Sequence, residues 1–204
     1  MTLAAAVAEA GSESAAAAPL IAERAWFDRS AVEVAPDLLG ALLIHDTPDG
    51  RIAGRIVEVE AYLGPEDLAA HSSRGRTPRN AVMFGPPGHL YVYLVYGLHH
   101  CANVVCGPGD KPEAILLRGA LLVEGEELAR SRRGDAPVAR LAAGPGNLAA
   151  AFGIDRRLNG ADLLAGPIRL APAVSPASFV RTPRIGVAYA GDWAARPLRF
   201  LARA

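Results

Sequence analysis

Lysine is almost missing. Of the 21 basic side chains in this 204-residue chain, Lys111 is the only lysine, and the others are arginines. Chemistry that needs a side-chain amine as nucleophile therefore has a single candidate, one that follows a Gly-Pro-Gly-Asp turn and precedes Pro112. Cysteine is scarce as well. Cys101 and Cys106 are the only two, which excludes a disulfide-built scaffold and suits a reducing compartment. No long apolar run exists. Residues 81–109 carry no Asp, Glu, Lys or Arg, yet their longest stretch free of Gly, Pro and His is Leu90–Tyr96. That is far short of the ~20 residues a spanning helix requires. Residues 1–11 lack a basic segment and include Glu9, so no secretory leader is expected. A net charge of either sign is also absent, with 21 basic against 21 acidic residues. Taken as an average, that balance argues against a nucleic-acid partner.

What is present is ordinary globular material. Hydrophobic residues make up 51% and charged residues 21%, which excludes wholesale disorder and collagen-like structure. The length suits one domain with a real core. The charge balance hides an asymmetry. Residues 1–50 hold two arginines against eight acids, residues 71–109 hold Arg74, Arg76 and Arg79 and no acid, and residues 181–204 hold five arginines and one acid. A folded chain can thus present one positive face.

Residues 1–18 have almost nothing to bury and read as a disordered tail, leaving 19–204 as the folded domain. Ser30 is a plausible N-cap for a helix whose apolar positions run from Val32 towards Leu42, interrupted by Pro36. Strands are expected at 42–45 and 51–62 around the turn Asp46–Gly50, at 90–96 and 101–106, at 114–120, and late in the chain at 168–171 and 185–189. Helical patterns cover 68–71, 125–133 and 141–152, the last broken by Gly144-Pro145-Gly146. Strands and helices mixed without regular alternation point to an α+β fold. A single domain is expected, with a curved, mainly antiparallel sheet and surrounding helices.

Two segments concentrate chemistry. In Arg55-Ile-Val-Glu-Val-Glu-Ala-Tyr62, strand alternation puts Ile56, Glu58, Glu60 and Tyr62 on one face. A carboxylate base at the mouth of a pocket would look like this, and so would a solvated edge strand with two unremarkable glutamates. In Leu90-Tyr-Val-Tyr-Leu-Val-Tyr-Gly97, Tyr91 and Tyr93 share a face and Tyr96 sits opposite, before a turn. Aromatics are only 6% of the chain, so three in six residues is a local concentration. A stacking slot plus a wedge is what a protein needs to pull a base from a duplex, although tyrosines also simply favour strands. His99, His100, Cys101 and Cys106 fit none of the usual zinc spacings, so no metal is expected.

Taken together, these segments resemble the alkyladenine (3-methyladenine) DNA glycosylases. The resemblance is carried by RIVEVEAYLGPEDLAAHSSRGRTPRN at 55–80, LYVYLVYG at 90–97, Cys101-Ala-Asn103, ILLRGA at 115–120, the Gly-Pro-Gly turn at 144–146, and RIGVAYAGDWAARPLRF at 184–200. It implies a protruding β-hairpin that enters DNA. It also implies a monofunctional base-excision-repair enzyme that flips alkylated or deaminated purines out of duplex DNA. Such lesions are 3-methyladenine, 7-methylguanine, hypoxanthine and ethenoadenine, and hydrolysis of the N-glycosidic bond leaves an abasic site. By the same resemblance, Glu60 activates the attacking water, Arg118 helps hold it, and the Ile185 backbone carbonyl completes its site. Tyr62, His71 and Tyr93 enclose the flipped base, and Asn103 excludes the exocyclic amino group of guanine. Tyr96, with Leu98 and His99, enters the duplex, and Arg74, Arg76 and Arg79 meet the DNA backbone. No cofactor is implied. The partner is double-stranded DNA, with no membrane, and the protein is expected to act as a monomer in the cytoplasm at the nucleoid (in the nucleus, if the source is eukaryotic). Three positions depart from the family pattern: His99 and His100 replace aromatic residues at the hairpin tip, and Asn147 stands where a lysine is common.

A sugar hydrolase using Glu58 and Glu60 as an acid–base pair is the first alternative, since i and i+2 on a strand lie ~7 Å apart. A lesion binder without turnover is the second. The chemistry of an alkylated purine favours the glycosylase, because the base already carries positive charge and one carboxylate suffices to stabilise the sugar cation.

Overall fold

A computed structural model describes residues 18–174 and 177–203, so the tail expected at 1–18 lies, except for Ala18, outside the described residues. Ser30 caps α1 (Ala31–Leu38) in a capping box: its hydroxyl accepts from the Val32 N–H and its own N–H donates to the Glu33 carboxylate. The helix ends two residues beyond Pro36, and Gly40, at φ 83°, turns the chain into the sheet.

The strands are β1 (Leu42–Thr47), β2 (Gly50–Tyr62), β3 (Leu90–Val95), β4 (His99–Cys106), β5 (Glu113–Glu124), β6 (Ile168–Ala171), β7 (Phe179–Thr182) and β8 (Arg199–Ala202). All pair antiparallel in one sheet of order β3-β4-β5-β2-β1-β6, with β8 attached to β2 and β7 to β8. β2 is the axis. One edge lies along β5, and the other is divided between β1 at residues 50–55 and β8 at residues 58–60. A strand shared in this way forces the sheet to fork and curve. The expected α+β architecture is therefore the observed one.

Besides α1, the helices are α2 (Glu126–Arg133), α3 (Val138–Leu141), α4 (Pro145–Phe152) and the short α5 (Asp192–Ala195). α1, α2 and α4 pack against the sheet over a core that includes Val34, Leu38, Ile52, Val59, Val104, Leu117, Leu148 and Phe152. Gly54 permits close approach here, since a Cβ would stand 2.9 Å from the Leu121 carbonyl oxygen and 3.1 Å from the Phe152 ring. The opposite face, towards β3, β4 and β5, is left to the cleft.

Three of the expected elements differ in the structure. The segment 185–189 is not a strand: Gly186 at φ 76° breaks extension, and the chain runs through a 3-10 turn at Ala188–Ala190 instead. The two late strands β7 and β8 flank that loop. Residues 68–71 do not start a helix, and a 3-10 turn forms at His71–Arg74. The pattern at 141–152 is two helices, because Gly144 at φ 95° is the N-cap of α4.

The register of β2 against β5 holds the feature that matters most. Ile56 faces Ala120, Glu58 faces Gly119, and Val59 faces Leu117. Val57 is therefore an extra residue on β2 and Arg118 an extra residue on β5. Such bulges re-aim side chains. Ile56 consequently faces the helix-covered core with Val59 and Ala61, not the face of Glu58, Glu60 and Tyr62 as simple alternation predicts.

Candidate active site

Glu58, Glu60 and Tyr62 remain on one face beyond the bulge, and the bulged Arg118 reaches both carboxylates. Its Nε donates to Glu58 Oε1 at 2.7 Å, and its Nη1 lies 3.4 Å from Glu60 Oε1. Arg199, brought alongside by β8, donates to the same Glu58 oxygen at 2.7 Å. Glu60 has no exposed surface. It accepts from the Ile185 N–H at 2.8 Å and from the Tyr62 hydroxyl at 2.9 Å. It does not stand at the mouth of a pocket, as expected, but behind the floor of one. The residue above it is Ile185, half exposed, whose backbone N–H is the group turned to the carboxylate.

The two glutamates have different electrostatics although they are neighbours on one strand. Burial raises the Glu60 carboxyl above the usual range, against the opposing pull of Arg118, the Ile185 N–H and the Tyr62 hydroxyl. Burial works against ionised Glu58 too, but Arg118 and Arg199 together outweigh it and hold that carboxyl below its ordinary value. Glu58 is thus a fixed anion that aims Arg118. Glu60 is the group able to take a proton.

The cleft has a volume of about 450 Å³ and includes Tyr62, His71, Tyr93, Asn103, Arg118 and Ile185 in its lining. Its aromatic wall is organised from the loop after β2. Asn80 donates to the His71 carbonyl at 2.9 Å and to the Gly75 carbonyl at 3.0 Å, fixing the turn that carries His71. The His71 Nδ1 is 2.9 Å from the Tyr91 hydroxyl, and its ring meets Tyr93 edge-on, 4.5 Å between centroids. Burial and the nearby Arg79 charge lower the His71 pKa, which favours the neutral ring. Asn103, on β4 opposite Tyr91, is buried, and its side-chain amide donates to the Tyr91 carbonyl at 3.1 Å.

The β3–β4 hairpin projects beside the cleft. Its turn is Tyr96-Gly97, with φ values of 51° and 71°, and the Leu98 N–H returns to the Val95 carbonyl at 3.0 Å. This is the positive-φ pattern of a type I′ hairpin turn. Tyr96 lies within the turn, not before it, and is 92% exposed, while Leu98 is 77% exposed. His99 is exposed but backs onto α4, where a Cβ on Gly146 would come within 3.1 Å of it. Asn147 bonds inward to the Ala143 carbonyl at 2.7 Å.

Arg74, Arg76 and Arg79 are exposed on one loop, and Arg79 lies 5.3 Å from the Tyr93 ring centroid. The C-terminal arginines divide. Arg181, Arg196 and Arg203 are exposed, whereas Arg199 serves Glu58 and Arg184 is buried against Asp67. Sequence reasoning counted Arg184 and Arg199 among the surface cations and gave Asp67 no role. An internal charge pair leaves no local pattern in a sequence. Lys111, the sole lysine, pairs with Glu113 at 3.0 Å and Glu66 at 3.7 Å, and these carboxylates keep it protonated.

The family model for methylpurine-DNA glycosylase matches residues 25–204. A Streptomyces avermitilis protein named "Putative 3-methyladenine DNA glycosylase" is 50% identical over 183 residues, covering 87% of this chain and 85% of its own. A Methanocella arvoryzae protein of the same name is 49% identical over 182 residues, covering 87% of this chain and 90% of its own.

Proposed function

The chain belongs to the methylpurine-DNA glycosylase family, and from that premise we propose that it is a monofunctional glycosylase that removes alkylated or deaminated purines from duplex DNA by water attack at the sugar. The observation that carries this reading is Glu60: a fully buried carboxylate behind an aromatic cleft, held by Tyr62, Ile185 and Arg118. The flipped base occupies the cleft among Tyr62, His71 and Tyr93. A cationic N3- or N7-alkylpurine is favoured there, because aromatic faces attract positive charge. As the glycosidic bond breaks, the sugar becomes oxocarbenium-like. Glu60 stabilises that cation and takes a proton from the water that attacks it. Arg118 and the Ile185 carbonyl orient the water. The folded unit acts as one domain over 19–204, as a monomer on double-stranded DNA in the cytoplasm at the nucleoid, or in the nucleus if the source is eukaryotic. Arg74, Arg76 and Arg79 meet phosphates, and Tyr96, Leu98 and His99 meet the opened stack. Among the described residues no helix is long and apolar enough to cross a membrane.

A sugar hydrolase would need Glu58 as its protonated partner. Two guanidinium groups hold that carboxyl ionised, which disfavours the acid role. The test is release of free base by purified protein from duplex DNA treated with a methylating agent. The expected product is an intact strand with an abasic site. Borohydride trapping of a protein–DNA adduct would contradict it, since Lys111, as a protonated and ion-paired amine, is a poor Schiff-base nucleophile.

The pH profile follows from Glu60. Activity requires the ionised carboxylate, so it is present above the Glu60 pKa and lost as pH falls through it. Because burial raises that pKa, the acid limb lies higher than for an ordinary glutamate. The Tyr62 hydroxyl opposes the rise by donating to the carboxylate. Tyr62→Phe is therefore expected to move the acid limb of single-turnover base release to higher pH, and an unmoved limb would dissociate Tyr62 from Glu60.

Asn103 sets identity in this scheme. Its amide is anchored on the Tyr91 carbonyl and cannot swing away cheaply. Asn103→Ser is expected to raise release of undamaged guanine by about tenfold, the scale of relieving one steric misfit of 1–3 kcal/mol. Release of hypoxanthine and ethenoadenine should continue. Unchanged guanine exclusion would remove Asn103 from the gate.

A further inference from the structure

The loop between β7 and β8 reaches the floor of the cleft on a tether of two buried charges. Arg184 and Asp67 expose no side-chain surface, and they meet through both guanidinium Nη atoms and both carboxylate oxygens. Each is also built into its surroundings. The Asp67 carboxylate accepts from the N–H groups of Leu63 at 3.1 Å and Ala69 at 3.0 Å. The Arg184 guanidinium donates to the Ala61 carbonyl at 2.9 Å and the Trp193 carbonyl at 3.3 Å, and lies 4.6 Å from the Tyr62 ring centroid.

These partners surround Glu60 in sequence and in space. Ala61 and Tyr62 follow Glu60 on β2, and Ile185, which donates its N–H to Glu60 at 2.8 Å, follows Arg184. The Ile185 side chain is half exposed and Gly186 has φ 76°, and the loop's apolar anchors, Val187 and Ala190, pack against Ala69 beyond that glycine, so the charge pair is the hold on the Arg184 side of the N–H. A bidentate guanidinium–carboxylate pair fixes distance and plane together, which an apolar contact does not.

We infer that Asp67 and Arg184 are positioning residues for Glu60, a latch that keeps the Ile185 N–H on one carboxylate oxygen and leaves the other lone pairs to the reacting water. The inference rests on reading Glu60 as the water-activating base. The N–H bond favours the ionised carboxylate and so opposes the effect of burial. The other groups acting on Glu60 are Glu58 and Tyr62 on β2, Arg118 on β5 and Cys101 on β4. Arg199 on β8 pairs with it in register but spends its guanidinium on Glu58.

The test uses Arg184→Lys and the double variant Asp67→Asn/Arg184→Gln, because removing one charge alone strands the other in a buried site. Three quantities are measured: the Glu60 carboxyl titration by NMR, lesion-DNA affinity, and the single-turnover rate of base release. Both variants are expected to bind lesion DNA nearly as the wild type does. The double variant should lose at least about tenfold in rate, the cost of a misplaced reacting group. Its Glu60 midpoint should move to higher pH, and Arg184→Lys should fall between it and the wild type. A folded double variant with unchanged rate and midpoint would reduce the pair to scaffolding. If the glycosylase reading itself fails, the wild type releases no base, yet the NMR midpoint still reports whether the latch acts on Glu60. If neither variant folds, amide hydrogen exchange of the wild type decides. A protected Ile185 N–H is expected, and exchange at the rate of an open loop would overturn the latch.

Discussion

Glu60→Gln is expected to slow base release by roughly 10³–10⁴-fold while lesion DNA still binds, the range for removing a general base that also stabilises charge. The fold should survive this change. Glutamine keeps the shape, its oxygen can accept from the Ile185 N–H, and its amide can donate to the Tyr62 hydroxyl, which is able to accept. Arg118 retains Glu58 at 2.7 Å and is not left as an unpaired buried cation. The measurement is single-turnover release of hypoxanthine from duplex DNA beside fluorescence anisotropy on the same substrate. Near-normal turnover would end the assignment of water activation to Glu60. Lost binding with lost turnover would show that the carboxylate shapes the cleft rather than acting in it.

Tyr96→Ala should cost about 100-fold on paired DNA and much less on single strands. A base leaving a duplex forfeits a few kcal/mol of stacking and pairing, and a wedge recovers part of it. Tyr96 is the one exposed aromatic in the hairpin turn, at 92% exposure. Its backbone also has φ 51°, the only positive φ at a non-glycine among the described residues. A bulky residue held there is strained. Tyr96→Gly should therefore raise the melting temperature while losing the same activity on duplex DNA. Equal losses on paired and single-stranded substrates would remove Tyr96 from the wedge role.

Much of this was legible in the sequence because it is local. The N-cap at Ser30, the hairpin at 42–62 and the tyrosine-rich strand before a turn follow from spacing and turn chemistry alone. The identity of the site came from long motifs in one order, which local physics cannot supply. What could not be read is non-local. Strand alternation placed Ile56 beside Glu58, and a bulge at Val57, visible only in the pairing with β5, moved it to the opposite face. Ile185 looked like the start of a strand because the run Ile185–Tyr189 carries no charge, yet Gly186 makes that segment a loop. Arg184 and Arg199 looked like surface cations because nothing near them in sequence is acidic enough to claim them. Their partners are 117 and 141 residues away.

The paired bulges make the lengths of β2 and β5 matter in a way substitution scanning would not reveal. Side chains alternate along a strand, so deleting a residue outside the bulge, Val59 for example, shifts everything on one side of it by one position and turns either Glu60 and Tyr62 or Glu58 into the apolar layer. Deleting Val57 itself leaves Ile56 beside Glu58 in regular alternation, with Ile56 and Val59 still inward and both glutamates still outward. Deleting the extra residue of β5 removes Arg118 itself. A single-residue deletion in Gly50–Gly54 is no milder, because Ile52 and Ala53 are buried and Gly54 packs on Leu121 and the Phe152 ring, whereas one in the Tyr96–Leu98 turn changes only a loop. Apart from the bulged Val57, residue count within these two strands is thus constrained as strictly as residue identity, and length variants that survive selection should cluster in the turns.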